Sequence, residues 1–97
     1  MIHYETIYIA SPDADERKLV EINDKISELI KNHKGKVDTW DDWGNRILGY
    51  TIGGHESGHY VRVEYQTETS AVREIERSLQ LRDDVLKQMT IRVEKEK

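Results

Sequence analysis

The apolar residues of this chain change their spacing in a set order, and that order leaves few folds open. Residues 2–10 carry Tyr4, Ile7, Tyr8 and Ile9, with apolar side chains in both alternating sets, as a strand with neighbours on both sides would. Pro12 stops that run, and Asp13 with Glu16 three residues later resembles a capping box. Over 15–33, Leu19, Ile22, Ile26, Leu29, Ile30 and His33 recur at steps of three and four, which makes one face of a helix. Gly35 stands where such a helix ends. Val37 to Asp42 and Arg46 to Ile52 are extended, and Gly44 between them reads as a bend in a single long strand. The glycine-rich segment 53–58 reads as a hairpin loop. Val61, Val63 and Tyr65 then alternate with Arg62, Glu64 and Gln66 in a half-buried strand. Ser70 to Gln80 forms a shorter helix with Val72, Ile75 and Leu79 inward and Thr69 or Ser70 as its cap. Met89, Ile91 and Val93 alternate with Thr90, Arg92 and Glu94 in a last strand.

The order is strand, helix, strand, strand, helix, strand. Two right-handed crossovers on one antiparallel sheet give an α+β, ferredoxin-like βαββαβ fold. Its four-stranded sheet carries both helices on one face and leaves the other face open. The chain has 97 residues, which suits a single domain over 1–97. Hydrophobic residues make up 36% and charged residues 35%, the balance of a soluble globular domain. Cysteine is absent, which excludes disulfides, thiolate metal sites and a cysteine nucleophile. No apolar run is long enough to span a membrane, and the N-terminus lacks the regions of a signal peptide, so a cytoplasmic setting is expected. The formal net charge of −4 offers no bulk attraction for phosphates, although a local footprint is compatible with it.

Catalytic patterns are poorly supported. His55-Glu56-Ser57-Gly58-His59 fits the letters of a zinc-protease signature, which needs a helix to put both imidazoles on one metal. Here glycines precede and interrupt it, and a strand pattern follows. The same segment makes a poor phosphate cradle, because it opens a strand and contains Glu56. Asp41-Asp42 and Asp83-Asp84 read as solvated turn residues, and the serines lack neighbours that would activate them. No pattern calls for a cofactor or a metal. Trp40 and Trp43 flank the Asp41-Asp42 pair and read as lids on the core. The basic residues best placed to cluster are Arg46, Arg62, Arg82, Lys87 and Arg92.

His3-Tyr4-Glu5, Asp42-Trp43-Gly44-x-Arg46-x-Leu48-x-Tyr50-x-Ile52, His59-Tyr60-Val61 and Leu81-Arg82-Asp83-x-Val85-Leu86-Lys87-x-Met89 together resemble the bacterial small-subunit ribosomal protein S-six family. The resemblance runs the length of the chain in the same order, and the family fold is the one deduced from periodicity. It implies a non-enzymatic protein of the cytoplasmic ribosome. Such proteins bind the central domain of small-subunit ribosomal RNA paired with ribosomal protein S-eighteen, and the chain would be a monomer outside the ribosome. By position it nominates Tyr4, Arg46, His59 with the rest of the 53–59 loop, Arg82, Lys87 and Arg92 for RNA or partner contacts. The chain departs from the family at Ile2 and Asn45, where basic residues are usual, at Thr51 in place of proline, and in a loop without lysine. A scaffold that keeps the fold without the RNA footprint is the alternative reading.

Overall fold

A computed structural model describes residues 1–94. The elements are β1 (Ile2–Ala10), α1 (Glu16–Asn32), β2 (Lys36–Ile52), β3 (His55–Thr67), α2 (Thr69–Gln80) and β4 (Val85–Arg92). They form one four-stranded sheet in the order β2-β3-β1-β4, and every pairing is antiparallel. This is the ferredoxin-like arrangement expected from the periodicity.

β1 lies between two partners, which explains its apolar residues in both alternating sets. Tyr4, Thr6 and Tyr8 pair with Tyr65, Val63 and Val61, and all six face the helices. The stripe of α1, Ile22, Ile26, Leu29 and Ile30, closes over them together with Val72, Ile75 and Leu79 of α2. Burying a hydroxyl costs free energy unless it finds a partner, and these do. The Tyr8 hydroxyl donates to Asn23 Oδ1 at 2.7 Å. Thr6 Oγ1 lies 2.8 Å from the Tyr65 hydroxyl and 2.7 Å from Thr90 Oγ1. Burial pushes the Tyr8 and Tyr65 hydroxyls above their ordinary tyrosine pKa, so both stay protonated at neutral pH.

Local chemistry differs from the sequence reading at the helix caps and the hairpin loop. The first helix is capped by Asp15, whose side chain accepts from the Lys18 N–H, and not by Asp13. It ends in a Schellman motif in which Lys34, at φ 59°, holds the left-handed position. The Lys34 and Gly35 N–H groups donate to Lys31 and Ile30 carbonyls at 2.9 and 2.8 Å. Gly35 is needed for space: a Cβ there would sit 2.4 Å from the Gln66 carbonyl oxygen. The second helix starts at Thr69, behind Glu68, which makes no side-chain cap bond. The hairpin loop shrinks to Gly53-Gly54, with φ of 57° and 83°, a two-residue turn matched to the twist of paired strands. β2 runs unbroken through Gly44, with its register shifting beside it, as expected for a bent strand. Finally, β4 turns Gln88 and Thr90 toward the helices and leaves Met89 and Ile91 about half exposed on the other face.

His33 at the end of α1 fastens the two helices together. Its Nε2 bonds the Glu74 carboxylate, and its Nδ1 lies 3.6 Å from Glu68 and 3.4 Å from Ser70 Oγ, all on or beside α2. The hydrogen bond to Glu74, opposed by modest desolvation, raises the His33 pKa above 6.5. A raised folded pKa adds stability that is fully present below the unfolded value and fades as pH rises through the folded one. The stability gap between the parent chain and His33→Gln should therefore widen from pH 8.5 to pH 5.5 in urea melts. An unchanged gap would remove His33 as a helix fastener.

Candidate RNA and partner interface

Residues opposite one another in a ladder share a face. Because Tyr4, Thr6 and Tyr8 face the helices, His3, Glu5, Ile7 and Ile9 face the open side. They are joined there by Tyr60, Arg62, Glu64 and Gln66 of β3 and by Lys87, Met89 and Ile91 of β4. The centre of this open face is a charge network. Arg62 donates to Glu5 at 2.9 Å, to Asp41 at 2.8 Å and to Glu64 at 2.9 Å. The hydrogen bond to Glu64 is the largest of the effects that hold the Arg62 guanidinium above its ordinary pKa. One cation answers three carboxylates, so the middle of the face does not attract phosphate. Arg62 looked available for a basic cluster in the sequence; its partners on β1 and β2 become visible only in the strand register.

Cations free to meet a ligand stand at the rim. Trp43, at the register shift before Gly44, stacks on Tyr60 with ring centroids 6.2 Å apart and planes at 22°. The Arg46 guanidinium lies 5.7 Å from the Trp43 ring centroid, and its Nε donates to the Trp43 carbonyl at 3.4 Å. Both side chains are exposed, so Trp43 is a shelf for Arg46 and not a lid on the core. Trp40 is likewise 37% exposed. Lys87 Nζ donates to the Tyr50 hydroxyl at 3.3 Å and lies 5.9 Å from that ring's centroid. This contact ties the β2–β3 hairpin to the start of β4.

The nominated residues separate into distinct places. Arg46, His59, Arg82 and Lys87 lie toward the end of the sheet where β1 finishes and β4 begins. His59 sits on the helix-facing side, 2.6 Å from Asp42 Oδ1. Arg82 is already engaged: Nε and Nη2 bond the two Asp84 oxygens at 2.8 and 2.9 Å, and Glu21 is 3.8 Å away. That bidentate bond holds the Asp84 carboxyl below its usual range. Arg92 is exposed, but five residues along β4 put it about 17 Å from Lys87. Tyr4 is in the core, 7% exposed, with its hydroxyl 2.9 Å from Thr69 Oγ1, and it supports the sheet from behind.

Residues 55–59 are strand, which places the Cα atoms of His55 and His59 about 13 Å apart, without the helical stacking that the zinc signature needs. The geometry is incompatible with one metal held by both. Among the described residues, no helix is long and apolar enough to cross a membrane.

Known proteins share this arrangement. The family model described as Ribosomal protein S6 matches residues 3–92. The small ribosomal subunit protein bS6 of Corynebacterium kroppenstedtii is 39% identical over 94 residues, covering 97% of this chain and 99% of that protein. The bS6 protein of Desulfatibacillum aliphaticivorans is 36% identical over 96 residues, covering 99% of this chain and 52% of that longer protein. The crystal structure of 30S ribosomal protein S6 from Thermotoga maritima superposes with a TM-score of 0.86 at 22% identity, covering 95% of this chain and 87% of that one. With a family model that spans nearly every element and a relative matched almost end to end, the chain belongs to the ribosomal protein S6 family.

Proposed function

We propose that the chain is a structural, non-enzymatic component of the small ribosomal subunit in the cytoplasm. In this reading it binds the central domain of small-subunit rRNA together with ribosomal protein S-eighteen, and it is a monomer apart from the ribosome. The observation that carries this is the family match over residues 3–92, which includes both the open sheet and its basic rim. Arg46 on its Trp43 shelf and Lys87 beside Tyr50 are the cations presented outward, and they are assigned to phosphate. The segment 53–59 lies beside them, and Arg92 is a separate contact at the far end of β4. His59 and Arg82, both engaged by carboxylates, shape this end of the sheet. Tyr4 acts only through the fold.

The experiment is a titration of the full chain with S-eighteen and a central-domain rRNA fragment at several salt concentrations. Binding should weaken steeply as salt rises. Arg46→Ala and Lys87→Ala should each lower the slope of log K against log salt by about one unit. No binding at low salt would overturn the reading in favour of a scaffold that has kept the fold alone.

A further inference from the structure

The helix-facing side of the β2 edge carries a feature that RNA binding does not use. α1 leaves part of this edge uncovered. A cleft of about 290 Å³ opens there, lined by Val20, Asn23, Asp24, Ser27, Trp40, Val61 and the Asp41-Asp42 pair. Two of its apolar side chains reach solvent: Val20 is 51% and Trp40 37% exposed, while Val61 is buried. Asn23 is fixed on the wall because its Oδ1 accepts from the buried Tyr8 hydroxyl at 2.7 Å.

The charge of the cleft is one-sided, since none of its lining residues is basic. Asp41 is committed to Arg62 at 2.8 Å. Asp42 is beside His59, a partner that is charged only when protonated. The Asp24 side chain has no ion pair or hydrogen-bond partner among the described residues. The cleft therefore presents an exposed indole and two carboxylates that lack a permanent cation.

We infer that this cleft receives an arginine side chain from a basic protein segment. The guanidinium lies against the Trp40 indole and between Asp24 and Asp42, and its aliphatic stem runs along Val20 and Val61. Arginine suits the site better than lysine. Its planar, weakly hydrated head stacks on an aromatic face and still donates in several directions. Its stem buries apolar surface while the head stays polar. RNA is disfavoured, because the cleft offers phosphate no cation and two negative charges. The volume fits one long side chain and falls just below the usual range of small-molecule pockets. The inference rests on the ribosomal reading only for the identity of the partner, a basic protein of the same assembly.

The test uses the full chain, labelled with nitrogen-15, and a hexa-arginine peptide with blocked ends at low salt. Saturable shifts are expected at the Trp40 indole N–H and at the amides of Val20 to Asp24. Asp24→Asn should weaken binding about three- to five-fold, the scale of one partly exposed ion pair. Hexa-lysine, with the same charge, should bind more weakly than hexa-arginine. Asp24 is exposed and unpaired, so its variant keeps the fold, and a native amide spectrum verifies that. The inference is overturned by any of four results: no saturable change at Trp40, shifts centred on Glu5 and Glu64, equal affinity for Asp24→Asn, or equal shifts with a ten-nucleotide uridine RNA. Arg46 lies roughly 20 Å along β2 from Trp40, so rRNA binding reports on the rim separately. Loss of peptide binding with rRNA binding retained would remove the cleft proposal and leave the ribosomal one standing.

Discussion

Replacing Ile26 with alanine should lower the unfolding free energy by about 3–4 kcal/mol, the largest single effect expected in this chain. Ile26 is 1% exposed and sits in the middle of the α1 stripe, with Ile22 before it and Leu29 and Ile30 after it. The truncation removes apolar contact with the sheet and leaves a cavity. Rigid neighbours on several sides, among them Tyr8 and Tyr65, prevent that cavity from collapsing. The comparison is Val20→Ala on the same helix, where 51% exposure should keep the change within about 0.5 kcal/mol. Urea melts would read both, with the midpoint moving and the slope unchanged. A loss below 1 kcal/mol for Ile26→Ala would mean that α1 does not pack on the sheet as described.

The second large effect is electrostatic. Arg62→Met should destabilise the protein by about 2–3 kcal/mol at pH 7, less than for a fully buried pair because the Arg62 side chain is 20% exposed. The methionine fills the same space but leaves Glu5, Asp41 and Glu64 facing one another without their cation. Adding Glu64→Gln to Arg62→Met should restore part of the stability at pH 7 by removing one of the charges. No recovery on adding Glu64→Gln would show that Arg62 matters for packing and not as the counter-charge of the open face.

The architecture was legible in the sequence because apolar spacing reports directly which face of an element meets the core. Ile22, Ile26 and Ile30, and Val61, Val63 and Tyr65, are unambiguous in this way. β4 was harder. Its core-facing positions are Gln88 and Thr90, and Thr90 finds Thr6 as a hydrogen-bond partner there, so the apolar Met89 and Ile91 mark the solvent side. Cap positions shifted because Asp13 and Asp15 are chemically equal, and only the chain's path decides which one reaches an N–H. The interface was the least legible part. Whether Arg62 is free or neutralised depends on the register of three strands that are far apart in sequence, as does the placing of Lys87 beside Tyr50. Tyr4 shows the same limit: a tyrosine on a strand flanked on both sides has a polar tip for either face, and here the tip found Thr69.

The strand order also says something about when the protein becomes usable. β1 precedes the other three strands in the chain, yet it lies between β3 and β4, and Tyr4 is aligned with Arg92, 88 residues further on. A nascent chain emerging from a ribosome cannot close this sheet until its last strand has cleared the exit tunnel, because contacts so distant in sequence must wait for both ends. The rim cation Lys87 arrives on that last strand. The rim is therefore complete only once β4 has been made and has joined the sheet, so the outward cations come together no earlier than the core closes.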